Sequence, residues 1–238
     1  MKRILAISDI HGCYDEFLKL LDKANYNLET DQLILLGDYE DRRLKSKDVI
    51  NQIIDLQNNG AISLRGNHDQ MFLDWLTSND YFASLNFFRN GGFNTVTSYV
   101  GYNFFDEGYD EDRIEQAKNF IHKHFSHHIE FLKSLSYYHE TEDCIFVHAG
   151  INPMLKDWKN SSHDFIWIRE PFLSNPHRQT KSVIHGHTPC LHLHDKNDIY
   201  FGEMKVGIDG ACAYGGQLNC LIIEDGEFSQ VYVNKIIT

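Results

Sequence analysis

The stretch RILAISDIHG, Arg3–Gly12, decides the fold. A short apolar run stops abruptly at a polar cluster, Ser8-Asp9-Ile10-His11-Gly12. Such a run, bounded by turn residues, reads as a strand buried on both faces. The same form recurs along the chain. Gln32 to Leu36 ends at Gly37-Asp38, and Ala61 to Leu64 ends at Arg65-Gly66-Asn67-His68. Cys144 to Val147 ends at His148-Ala149-Gly150, and Ser182 to Ile184 at His185-Gly186-His187. Helix-like stretches, Tyr14 to Ala24 and Lys47 to Asn58, separate the first three runs. This β-α-β-α-β opening predicts a layered α/β architecture.

The carboxyl end reads differently. Leu218 to Glu224 and Phe228 to Val233 flank Asp225-Gly226, a strong hairpin signal. Residues 71–140, Met71 to Glu140, are rich in aromatics and helix formers and hold no run that ends in such a cluster. They are expected to form a helical insertion that leans over one side of the site. A single helix is expected from Glu111 to Leu135, with His122, His124, His127 and His128 as a His-rich surface rather than a metal site. No repeat, low-complexity tract or linker interrupts the chain, so residues 1–238 are read as one domain.

Bulk composition narrows the function. A formal net charge of −12 argues against nucleic acid as the main partner, because phosphate backbones are held by basic surfaces. If the protein handles phosphate, bound cations and a few arginines must supply positive charge locally. Five cysteines without a CxxC pair read as reduced thiols. The apolar run at the amino terminus is too short for a signal peptide, and no run reaches the length of a membrane span. A soluble, cytoplasmic protein without a membrane partner is the expectation.

The polar clusters at the strand ends hold Asp9, His11, Asp38, Asn67, His68, His148 and His187. An α/β sheet builds a site from the ends of separate strands in this way. Carboxylate, imidazole and carboxamide donors together suit Mn²⁺, Fe, Co or Zn²⁺ better than Mg²⁺ or Ca²⁺, which favour oxygen.

In their order and spacing, SDIHG, GDYEDR, RGNHD, HAG and HGHTP resemble the five signature motifs of the phosphoprotein phosphatases, in particular the bacterial and phage branch related to calcineurin. IWIRE, Ile166–Glu170, resembles a Trp-x-Arg segment of the same branch. The resemblance implies a calcineurin-like metallophosphoesterase fold, a layered β-sandwich flanked by helices, and a dimetal phosphatase. By the same resemblance, Asp9 and His11 would hold one ion, Asn67, His148 and His187 a second, and Asp38 would bridge them. Two divalent ions, Mn²⁺ foremost, can share a hydroxide that attacks phosphorus in line. Arg42 and Arg169 would clamp the phosphate, His68 would be the general acid, and Asp41 would orient it.

Pro189 stands where many phosphodiesterases of the wider superfamily carry a second metal-binding histidine, and His185 is left to packing or to support of the ligands. Two departures from the family pattern lie beside the motif residues. Glu40 replaces an apolar residue and Arg43 a glycine, and their opposite charges could neutralise one another. Asn90-Gly91-Gly92 resembles a loop of the bacterial members that shapes substrate access. The aromatics Phe82, Phe87, Phe88, Tyr99, Tyr102, Phe104 and Phe105 are read as core. The expected activity is hydrolysis of phosphoserine and phosphothreonine in proteins, with diadenosine tetraphosphate-type hydrolysis as the alternative. A metal-stabilised scaffold without activity would be expected to have lost ligands or the acid, and all are present.

Overall fold

The structure, a computed structural model, describes residues 2–106, 108 and 110–236. In chain order, β1 (Arg3–Ile7), α1 (Tyr14–Lys23), β2 (Asp31–Leu35), α2 (Ser46–Asn58) and β3 (Ile62–Ser63) form the expected alternating opening. The helices α3 (Asn67–Thr77), α4 (Tyr81–Phe87), α5 (Phe93–Val100), α6 (Glu111–His124) and α7 (Ser126–Ser134) follow. A second strand set begins with β4 (Tyr138–Glu140) and β5 (Cys144–Val147), then α8 (Ser162–Trp167), β6 (Ser182–His185) and the short α9 (Leu191–His194). It closes with β7 (Tyr200–Gly202) and β8 (Lys205–Gly207), before β9 (Gln217–Glu224) and β10 (Glu227–Asn234).

Two five-stranded sheets result, ordered β10-β9-β1-β2-β3 and β4-β5-β6-β8-β7. β1, β2 and β3 run parallel, and so do β5, β6 and β8. The β9–β10 hairpin turns at Asp225-Gly226, whose φ values of 51° and 82° are those the tight turn requires. β7–β8 is a second hairpin that the sequence reading did not anticipate.

Strand alternation explains how the layers close. Ala6, Ile34, Leu36, Leu221, Phe146, Ile184 and Val206 meet in one buried cluster between the sheets. Their neighbours Leu5, Ile7, Leu33, Leu35 and Cys220 point the other way, into the cluster shared with α1, α2 and the middle helices. On the far side, Ile145, Val147 and Val183 pack with Phe165 and Ile166 of α8. The central strands β1, β2, β5, β6 and β9 are therefore apolar on both faces, and a fully buried Leu, Ile, Val or Phe contributes about 1.5–3 kcal/mol.

Two expectations for the middle are corrected. Its last residues form β4, which pairs with β5, so residues 71–140 are not wholly helical. The helix expected from Glu111 to Leu135 breaks at Phe125, whose φ of −131° leaves helical geometry while its ring packs edge-on to Tyr99 at 5.0 Å. The break separates the four histidines. His128 is buried, with Nδ1 at 2.9 Å from the Tyr99 hydroxyl and Nε2 at 2.8 Å from Asn51 Oδ1. His122 donates from Nε2 to the Leu76 carbonyl, so half of the His-rich surface is core and cap. Of the aromatics read as core, Phe87 and Tyr99 are buried, whereas Phe82 and Tyr102 are exposed.

Candidate metal centre and phosphate cavity

The clusters that end β1, β2, β3, β5 and β6 converge at the carboxyl edges of both sheets. The backbone there is unusual: Asp9, His11, Asp38, Asp41, Arg42 and His187 all have φ between 46° and 70°. L residues seldom adopt this left-handed region, and each such residue costs free energy that surrounding contacts must offset. Those contacts are visible. Asp69 Oδ2 accepts from Gly66 N at 2.5 Å and Asp38 N at 3.0 Å, and Oδ1 accepts from Tyr39 N at 3.1 Å. Gly186 lies so close to Ser8 and Asp9 that a Cβ there would collide with both side chains.

Asp38 is central. Its Oδ2 lies 3.5 Å from His11 Nε2, 3.4 Å from His148 Nε2 and 4.0 Å from His68 Nε2. Asp9 Oδ1 is 3.9 Å from His11 Nε2, and Asn67 Oδ1 is 3.0 Å from His148 Nε2. His11 donates from Nδ1 to the Glu40 carbonyl at 2.8 Å, and His148 donates from Nδ1 to the Leu36 carbonyl at 2.8 Å. These bonds fix the rings and turn both Nε2 atoms toward Asp38, the support that metal-binding histidines require. Among the described residues, His187 Nε2 is buried without a hydrogen-bond partner. Two triplets, His11-Asp38-His68 and Asp38-His148-His187, offer donor atoms within 4.8 Å of one another. Ligands on one ion with bonds of about 2.0–2.2 Å sit roughly 3 Å apart, so these residues fit divalent metals. His68 is the exception, because the Arg42 guanidinium already lies at its Nε2, 3.0 Å away, where an ion would have to bind.

The electrostatics fit the same reading. Burial, joined by the charge of Asp38, raises the Asp9 carboxyl above the usual range. Burial pushes His11 down to about 3 and His187 down to about 2, so both are neutral and able to bind a cation. Burial opposes charge on His148 too, but the carboxylate of Asp38 outweighs it and raises the ring to about 9. Without a cation, that proton is what balances Asp38.

His68 donates from Nδ1 to Asp41 Oδ2 at 2.7 Å, and Asp41 Oδ1 accepts from Thr95 Oγ1 at 2.7 Å. Burial works against the charged His68 ring, yet Asp38 and Asp41 together raise its pKa. Arg42 reaches over the Tyr214 ring at 4.8 Å, and Arg169 donates to the His187 carbonyl at 3.3 Å. Both line one cavity of about 590 Å³ with Asp9, His11, Asp38, Asn67, His68 and His187. His148 lies just beneath, fully buried. The ten residues singled out from the sequence are thus gathered at one place.

Some participants were missed. Asp209, a buried carboxylate that borders the cavity, follows β8 in the run Val206-Gly207-Ile208-Asp209-Gly210, the same form that revealed the others. Burial and then Asp9 raise its carboxyl well above the usual range. Asp69 was legible as the last residue of RGNHD and Trp167 as the Trp of the Trp-x-Arg segment, whereas Thr95 and Tyr214 carried no local signal. Neutralisation of Glu40 by Arg43 does not occur. Arg43 donates to the Ala213 carbonyl at 2.6 Å, and the Glu40 carboxyl is buried, its pKa raised well above the usual range by burial and by Asp69. Arg43 itself needs no left-handed φ, because Asp41 and Arg42 take that conformation instead. Gly91 presses against this loop, its carbonyl accepting from Arg42 N at 3.3 Å, and Asn90 lines the cavity. His185 is buried against Phe172, with ring centroids 5.2 Å apart.

A layered pair of mixed sheets whose strand ends carry carboxylates, imidazoles and arginines around one cavity defines a metallophosphoesterase, a hydrolase of phosphoester bonds. The chain belongs to the calcineurin-like phosphoesterase family, which it matches over residues 2–217. It is 25% identical to serine/threonine-protein phosphatase 1 of Salmonella typhimurium over 230 residues, 94% of this chain and 93% of that protein. It is 28% identical to the asymmetrical bis(5'-nucleosyl)-tetraphosphatase PrpE of Anoxybacillus flavithermus over 242 residues, 90% of this chain and 88% of that protein. Among solved structures, a serine/threonine phosphatase from Saccharomyces cerevisiae shares the fold with a TM-score of 0.64 at 16% identity, covering 100% of this chain and 81% of that one.

Proposed function

We propose that this chain is a dimetal phosphoesterase acting foremost on phosphoserine and phosphothreonine in proteins, in the cytoplasm. The observation that carries this reading is the His68–Asp41 pair, joined at 2.7 Å beside the donor cluster. Asp9 and His11 would hold one ion and Asn67, His148 and His187 the other, with Asp38 serving both. Mn²⁺ is the leading candidate, with Fe, Zn²⁺ and Co as alternatives. Ions bound there acidify water and offset charge on the phosphoryl oxygens. Arg42 and Arg169 grip two phosphate oxygens as planar forks. That grip draws Arg42 off His68 Nε2, which is then free to carry a proton to the departing alkoxide. Asp41 holds the opposite nitrogen and stabilises the charged ring. Residues 1–238 act as one unit, and Asn90 of the middle segment borders the cavity.

A different observation favours a second reading, hydrolysis of dinucleoside polyphosphates. Trp167, Pro189, Leu191 and Tyr214 give the cavity apolar and aromatic walls that suit a nucleoside. Both classes of relative are compatible with the site. The deciding experiment compares a phosphopeptide with diadenosine tetraphosphate on protein stripped by chelator and reloaded. Stripped protein should be inactive, Mn²⁺ should restore it better than Mg²⁺ or Ca²⁺, and the phosphopeptide should show the higher kcat/KM. Full activity after stripping would exclude the dimetal reading, and a higher kcat/KM for the nucleotide would select the second one.

A further inference from the structure

A second recess, of about 290 Å³, opens on the other side of Arg42. Arg42, Arg43, Lys45 and Lys235 line it against only two carboxylates, Asp15 and Glu16. Lys235 pairs with Glu16 at 2.5 Å and Lys45 with Asp15, so the surplus of positive charge rests on Arg42 and Arg43, in a chain whose net charge is −12. Arg43 has no left-handed φ, so its backbone does not need a glycine. Its Nε and that of Arg42 are both buried without a hydrogen-bond partner. An unpartnered buried donor is costly, and two adjacent guanidiniums with unmet donor capacity beside the recess favour an anionic acceptor there. The Lys45–Asp15 pair, at 2.6 Å, has both side chains nearly half exposed, so it contributes little and exchanges readily.

We infer that this recess is a second anion subsite, which takes one phosphate of a polyphosphate chain while another sits in the metal cavity. The inference develops the second reading above and rests on hydrolysis in the metal cavity. Arg42 lines both spaces, so the two anions flank one residue. Successive phosphates of a polyphosphate meet that short span, whereas a carboxylate on a flanking peptide residue must reach it through its own side chain. Phosphate also presents enough oxygens for arginine forks on both sides. The exposed ring of Tyr102 borders the mouth, where the rest of a nucleotide would emerge.

The test uses Lys45→Glu and Arg43→Gly in the Mn²⁺-loaded protein. Diadenosine tetraphosphate, nitrophenyl phosphate and an acidic phosphopeptide serve as substrates, and inorganic tripolyphosphate as competitive inhibitor. Each variant should raise KM for diadenosine tetraphosphate about tenfold and weaken tripolyphosphate inhibition similarly. Nitrophenyl phosphate kinetics should stay near wild type, and added salt should shrink the Lys45→Glu effect. Unchanged KM and unchanged inhibition would overturn the subsite. So would an effect confined to the acidic phosphopeptide, or equal losses on nitrophenyl phosphate. Should wild type hydrolyse none of the substrates, the metal-cavity reading fails instead. Calorimetric binding of tripolyphosphate to wild type and Lys45→Glu then decides the subsite by itself, equal affinities counting against it.

Discussion

At the scale of single residues, His68 is held from both ends, by Asp41 at Nδ1 and by the Arg42 guanidinium at Nε2. The proposed acid can work only when substrate lifts Arg42 away, which couples proton delivery to phosphate binding. His68→Asn should lower kcat on phosphopeptide by about 10²–10⁴-fold, the usual range for a positioned acid. The loss on nitrophenyl phosphate should be much smaller, because nitrophenolate departs without a proton. Measured kcat on both substrates, with bound metal quantified, checks this; equal losses with metal retained would exclude His68 as the donor. The contact with Arg42 was not legible in the sequence. Motifs list residue types, and the pairing of Arg42 with His68 depends on a loop that Gly91 supports from 49 positions further on. Asp9 and His11 were legible because they lie in the polar cluster just after β1, and Asp38 because it lies in the one just after β2.

Among the elements, the joins between strand ends decide the site. β1 and β6 belong to different sheets, and they can bring Asp9 beside His187 only because residue 186 has no side chain. His187 N donates to Asp9 Oδ2 at 3.0 Å across that join. Gly186→Ala should push the carboxylate out of place, with loss of both metal content and activity read by metal analysis and turnover. Metal content at the wild-type level would show that the two loops adjust. The helices were predicted less well, because Phe125 gives up helical geometry for aromatic packing that no local propensity contains. His128, on α7, adds a pH dependence. Burial, then the charges of His127 and Lys47, holds it at about 4, below the ordinary 6.5. Between those values the unfolded chain binds a proton that the folded one refuses. Stability from this group is therefore complete above about 6.5 and is lost as pH falls toward 4. His128→Gln should flatten Tm against pH across that window, and an unchanged slope would assign the dependence elsewhere.

For the molecule as a whole, the layered architecture was legible because runs buried on both faces cannot belong to a solvent-facing sheet. The strand order within the second sheet was not, since β7 and β8 are only three residues each. Pairing of such short strands is set by the sheet already present. The two sheets close on an apolar layer and force Asp9, Asp38 and Asp209 together at its rim. Folding without metal must bear that concentration of charge. Asp9 carries much of it, because its pKa is raised and charge on it destabilises the folded state above the ordinary value. In chelator at neutral pH, Asp9→Asn should melt at or above the wild-type temperature. With Mn²⁺ the wild type should gain several degrees, about 2–4 °C per kcal/mol of binding at this size, and the variant less. A variant that melts lower in chelator would contradict this account.

The left-handed backbone at six of the site residues bears on how such a chain drifts over generations. Replacement of Asp9, His11, Asp38 or His187 by glycine relaxes a conformation that glycine adopts freely. Relief of that backbone offsets part of the stability lost when the side chain's buried hydrogen bonds disappear, as with His187 N on Asp9 and His68 N on Asp38, so inactive descendants can persist as folded proteins. Among relatives in which selection on turnover has lapsed, glycine and asparagine should accumulate first at these positions, while the apolar layer between the sheets stays intact.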